Sequence, residues 1–159
     1  MIEKTFNIGD ERMVLDKTNV EILKTLTMDA RLSSRQIAKQ CGISIGTALS
    51  RIKKMEKEGI IQGYSVLLNQ EKLGYELTVV SDITVSKGRL LEVENEIARL
   101  PNVCCVYDVT GLVDAIIVAK FKNREELSKF TKRLLSIPHV ERTNTHVVLT
   151  TIKEDFRII

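Results

Sequence analysis

The chain has 159 residues, of which 43% are apolar, 28% charged and 4% aromatic, with two prolines and eight glycines. That length fits one domain or two small ones, and the balance excludes a disordered, collagen-like or low-complexity chain. The formal charge of +3 is modest, but seven basic residues lie between Arg31 and Lys57 against one acidic residue, Glu56, so the excess is local.

In chain order, Asp16 suits an N-cap, and Val20, Ile22, Leu23 and Leu26 recur at helical spacing up to a polar break at Asp29. Ser33 to Gln36 has the form of a capping box ahead of Ile37, Ala38 and Cys41, and the run stops at Gly42. Ser44 then caps a third helix whose Ile45, Ala48, Leu49, Ile52 and Met55 are expected to form one apolar face before Gly59 ends it. Two helices separated by the tight turn Cys41-Gly42-Ile43-Ser44 make a helix-turn-helix pattern.

The opposite face of the third helix carries Gly46, Thr47, Ser50, Lys53, Lys54 and Lys57, with Arg51 on a flank. Small and hydroxyl-bearing residues near the helix start can approach base edges in a major groove, while the lysines meet phosphates. Most charged helix faces are merely solvated. Here two capped helices joined by a glycine turn favour double-stranded DNA, and Ser33, Ser34, Arg35 and Ser44 complete the candidate contact set.

After Gly59, residues Ile60, Ile61, Tyr64, Val66 and Leu68 predict a short strand forming a small wing. The domain organisation is therefore a DNA-binding domain over 1–64, a linker strand over 65–75 and a second domain over 76–159.

In that second domain one phrase occurs twice: Leu100-Pro101-Asn102-Val103 returns 37 residues later as Ile137-Pro138-His139-Val140. Amphipathic helices precede each phrase (Leu90 to Leu100 and Arg124 to Ile137), and strands follow (Val103 to Val109 and Val140 to Ile152). Further strands, Leu77 to Val85 and Ala115 to Phe121, precede the helices. Strand-helix-strand twice over predicts a ferredoxin-like βαββαβ α/β sandwich, so the whole chain reads as α+β. Apolar residues are expected on both sheet faces, among them Val79, Val80, Ile83 and the run Ala115 to Ala119. Helices cover one face only, so a second copy of the chain is expected on the other.

Other functions find less support. Three cysteines (Cys41, Cys104, Cys105) and two histidines (His139, His146) supply neither a disulfide framework nor metal-ligand spacing, so no metal or cofactor is expected. No catalytic base and nucleophile pair stands out. An RNA-recognition sheet would expose more aromatics than Tyr107 and Phe121. A metabolite-sensing domain whose helical segment mediates protein or RNA contacts is the remaining alternative. Residues 1–16 mix charges where a signal peptide needs an apolar stretch, and no run approaches a membrane span, so a cytoplasmic protein without membrane contact is expected.

The sequence resembles the Lrp/AsnC family of feast/famine transcription regulators over nearly its whole length. The motifs Leu15-Asp16, Ile22-Leu23, Asp29-Ala30-Arg31, Ile37-Ala38, Gly42-Ile43-Ser44, Arg51-Ile52-Lys53-Lys54-Met55-Glu56, Gly59-Ile60-Ile61 and Gly63-Tyr64 follow that family's DNA-binding half in order. Gly111-Leu112-Val113-Asp114 stands where the family carries a Gly-x-x-Asp loop, and Arg142-Thr143-Asn144-Thr145 where it carries a Thr-x-Thr strand. The resemblance implies a homodimer built through the ferredoxin-like domains and assembled further into tetramers or octamers. It also implies an amino-acid-like effector bound between dimers, lined by Gly111, Leu112, Val113 and Asp114 with Thr143 and Thr145 nearby.

Overall fold

Helix α1 (Lys17–Met28) starts where the Asp16 carboxylate accepts the Asn19 backbone N–H at 2.8 Å, in a computed structural model that describes residues 15–159. The first 14 residues, which the sequence pattern assigns to the start of the DNA-binding domain, lie outside the described residues. Helix α2 (Ser34–Cys41) carries the complete capping box, with the Ser33 N–H donating to Gln36 Oε1 at 2.9 Å and Gln36 N–H donating to Ser33 Oγ at 3.4 Å. It ends on Gly42 at φ 65°, a left-handed conformation that costs glycine little. Helix α3 (Ile45–Lys57) is capped by Ser44, and the backbone turns out of it through Gly59 at φ 71°.

The chain divides into two units, Met1–Val66 with Asp155–Ile159, and Leu67–Glu154. In the first, Ile22, Leu23 and Leu26 of α1 pack with Ile37 and Ala38 of α2 and with Ala48, Ile52 and Met55 of α3. The division at 66 falls inside the expected linker, but the last five residues group with the helices rather than with the C-terminal domain. Arg157 Nη1 donates to the Thr27 carbonyl at 3.1 Å, supplying a cation to the end of α1, which has no basic residue in its last turn.

In the second unit, β1 (Leu77–Val85), β2 (Val103–Asp108), β3 (Ala115–Phe121) and β4 (Val140–Val147) form an antiparallel sheet in the order β2-β3-β1-β4. Helices α4 (Leu90–Ile97) and α5 (Arg124–Ser136) supply Val93, Ile97, Phe130 and Leu134 to a core with Val79, Ile83, Ile117 and Phe121. The Phe121 and Phe130 rings meet at 4.9 Å between centroids. The repeated Pro phrase is one turn used twice: Val103 N–H donates to the Leu100 carbonyl at 3.0 Å, and Val140 N–H to the Ile137 carbonyl at 3.2 Å.

Three expectations are corrected. No strand forms over 60–70, so the strand expected for the wing and the linker strand are both absent; a 3-10 turn at Glu71–Leu73 leads into β1 instead. An extended segment becomes a strand only when its backbone groups find a ladder partner, and within one chain this one has none. Strand β4 stops at Val147 rather than Ile152, and the helices end at Ile97 and Ser136. The uncovered sheet face is mixed rather than apolar. Val80, Ile116 and Val118 share it with Asp82, Thr84, Asn144 and His146, as the pairing of β1 with β3 and β4 requires.

Among the described residues, no helix is long and apolar enough to cross a membrane.

Candidate nucleic-acid interface and effector loop

Helix α3 turns Ala48, Ile52 and Met55 into the core and leaves Gly46, Thr47, Ser50, Lys53, Lys54 and Lys57 exposed. Lys53, Lys57 and Arg35 make no ion pair with a described residue, and Lys54 has only Glu58 at 3.7 Å. The face therefore keeps its positive charge available. A Cβ built on Gly46 would meet only Ser44 Oγ at 3.8 Å, so nothing inside the chain requires a glycine there. Its absence of a side chain lets another surface approach the first turn closely.

Several hydroxyls of the predicted set already have structural duties. Ser33 Oγ donates to Gln36 Oε1 at 2.7 Å, while Ser44 Oγ accepts the Thr47 N–H at 3.0 Å and lies 2.8 Å from Thr47 Oγ1. Ser34 is half-buried at the start of α2, and Ser50 is exposed in the middle of the α3 face.

Arg51, expected on the flank of the DNA face, has partners within the protein. Its Nη1 donates to Asp16 Oδ2 at 2.6 Å and to Asn19 Oδ1 at 2.8 Å, tying α3 to the start of α1. The guanidinium, followed by the Asn19 backbone N–H, holds the Asp16 carboxyl below the usual carboxylate range. Asp29 is held low in the same way by Arg31, which chelates it at 2.9 and 3.1 Å.

Ile45 and Leu49 depart from expectation. The helical period assigns them to the apolar stripe, yet they are 50% and 42% exposed. At about 100° per residue they lie roughly 50° and 90° around the helix from the centre of Ala48, Ile52 and Met55. The hydrophobic pattern is wider than the surface that α1 and α2 cover. Tyr64, expected in a wing strand, instead donates its phenol to Glu56 Oε1 at 2.8 Å and fastens the segment after Gly59 to the end of α3. Burial, and then the Glu56 carboxylate, push that phenol above its ordinary pKa.

In the second unit the loop between β2 and β3 bends through Gly111 at φ 129°, a value strained for any side chain, and leaves Leu112 fully exposed. Asp114 is tied to β1: its N–H donates to the Ile83 carbonyl at 3.0 Å, and its Oδ2 accepts the Val85 N–H at 2.8 Å. Thr143 pairs with Ile83 and Thr145 with Ser81, so β1 stands between them and the loop. Two strand spacings, about 10 Å, therefore separate the Gly111–Asp114 loop from the threonines. Both threonines point to the helix-covered side, and Thr145 Oγ1 lies 2.9 Å from the fully buried Ser81 hydroxyl. Among the described residues, no group of three or more His, Cys, Asp or Glu side chains is placed to hold a metal ion.

Residues 15–62 match the winged helix-turn-helix DNA-binding domain, and residues 78–158 match the Lrp/AsnC ligand binding domain. The chain belongs to the Lrp/AsnC family of DNA-binding transcriptional regulators. An uncharacterized HTH-type transcriptional regulator of Pyrococcus furiosus is 50% identical to this regulator over 146 residues, covering 92% of this chain and 99% of that protein. The HTH-type transcriptional regulator FL11 of Pyrococcus horikoshii is 35% identical over 143 residues, covering 90% and 95%. A solved transcriptional regulator from Neisseria meningitidis in complex with L-Met superposes with a TM-score of 0.85 at 26% identity, covering 92% of this chain and 97% of that one.

Proposed function

We propose that this regulator binds duplex DNA by placing α3 in the major groove, as a symmetric homodimer, and that a small amino-acid-like effector modulates it. The observation that carries the reading is the exposed α3 face: Gly46 near the helix start and Ser50 mid-helix, with Lys53, Lys54 and Lys57 beyond them. This order places small groups where bases are read and cations where phosphates run. A dimer joined through the open sheet face would cover Val80, Ile116 and Val118, which α4 and α5 leave uncovered. Tetramers or octamers would extend the same assembly. Electrophoretic competition between duplex DNA and RNA of matched length tests the reading, and equal or stronger displacement by RNA overturns it.

The effector reading is favoured by the loop geometry together with the L-Met complex of the Neisseria meningitidis relative. Gly111 gives close backbone approach, and Asp114 Oδ1 remains for an ammonium group while Oδ2 holds β1. The described histidines, cysteines and carboxylates are assigned no catalytic role.

A further inference from the structure

Ile45 and Leu49 form an exposed aliphatic strip on an otherwise polar helix surface. They stand four residues apart, so they occupy neighbouring positions on one side of α3. Ile45 is the first residue of the helix, where side chains come closest to base edges. Around the helix the strip borders Gly46, Ser50 and Lys53, and the cations Lys53, Lys54 and Lys57 make the adjoining side complementary to a polyanion, while Glu56, in line with the strip near the far end of the helix, accepts the Tyr64 phenol. Apolar side chains beside such a face gain from contact only where the partner also offers an apolar group. On the floor of the major groove that group is the C5 methyl of thymine.

Resting on the reading of α3 as the groove-facing helix, we propose that Ile45 and Leu49 read thymine methyl groups and so select A·T pairs at one or two positions in each half-site. Ser50 and the lysines then fix register and phosphate contact, and the aliphatic strip carries part of the sequence discrimination.

The test uses duplexes that the full-length wild-type protein selects from a random library, resynthesised with each thymine replaced in turn by deoxyuridine. The expected result is a loss of about fourfold in affinity per methyl removed, at one or two positions per half-site. Leu49→Ala and Ile45→Ala should weaken binding to the thymine duplex by a similar factor and then be indifferent to deoxyuridine at the matching position. Leu49→Met, which keeps an apolar side chain of similar size, should retain the methyl dependence. Wild-type binding indifferent to deoxyuridine at every position overturns the proposal, as do alanine variants that stay as methyl-sensitive as the wild type. Changed sedimentation in Leu49→Ala with unchanged methyl sensitivity assigns the strip to a protein contact and likewise overturns it. Failure of the wild type to bind any duplex removes the groove reading itself; duplex binding without methyl dependence removes this proposal alone.

Discussion

Two cations two residues apart on α3 should respond to mutation in opposite ways. Arg51 is spent inside the protein, on Asp16 at 2.6 Å and Asn19 at 2.8 Å, whereas Lys53 is exposed with no described ion-pair partner. Asn19 is only 5% exposed, so Arg51→Met strands a buried amide oxygen, at a cost of about 1–2 kcal/mol. The exposed Asp16 pair adds little to that figure. With a urea m-value of about 1.5 kcal/mol/M, the unfolding midpoint should fall by about 1 M. Lys53→Ala should leave the midpoint unchanged but reduce the slope of log affinity against log salt by about 0.9 for each phosphate no longer neutralised, or about 1.8 for a dimer using both helices. Urea denaturation and DNA binding across a salt series measure both quantities on the same two proteins. An Arg51→Met variant with an unshifted midpoint and a reduced salt slope would show that Arg51 leaves Asp16 for phosphate, and the assignment would be wrong.

The open sheet face predicts that neighbouring substitutions diverge: Ile117→Asp, buried under the helices, should abolish the folded unit by circular dichroism, while Ile116→Asp should stay folded and sediment as a monomer. Asp114→Asn keeps an acceptor for the Val85 N–H, so it should remove calorimetric heat from an amino-acid effector without loss of stability, whereas Asp114→Ala should also lose about 1 kcal/mol in urea denaturation. Asp16 predicts a pH dependence. Its carboxyl is held low by Arg51 in the folded state, so its stabilising contribution is complete above the ordinary aspartate value of about 3.9 and drains away as pH falls through the lower folded value. The stability gap between wild type and Asp16→Ala should therefore be full at neutral pH and shrink progressively below about pH 4 in thermal melts.

The features legible in the sequence are those encoded within a few residues. The Asp16, Ser33 and Ser44 caps, the glycine stops at Gly42 and Gly59 and the twice-used Pro phrase each depend on hydrogen bonds spanning three to five positions, and the structure places them where the pattern does. The apolar runs of β1 and β3 are bounded to the residue for the same reason: adjacent residues alternate between faces whatever packs on them. Partners distant in sequence are not legible. The Arg51 ion pair is one case, because nothing local reveals that folding brings Asp16, 35 residues earlier, against it. Asp114 looks like a free ligand group, although Val85, 29 residues away, claims one of its oxygens. The extended run after Gly59 has strand composition but finds no ladder partner within one chain, and composition cannot supply one. Ile45 and Leu49 belong to the helical apolar period, yet the width of the buried stripe is set by how much of α3 its neighbours α1 and α2 cover. Local spacing thus fixes where the capped helices start and the central strands run, while the wing strand and the ends of β4, α4 and α5 depend on partners elsewhere in the chain. Only tertiary packing decides which of their side chains are left over to meet another molecule, because burial and charge pairing are shared between segments far apart in the chain.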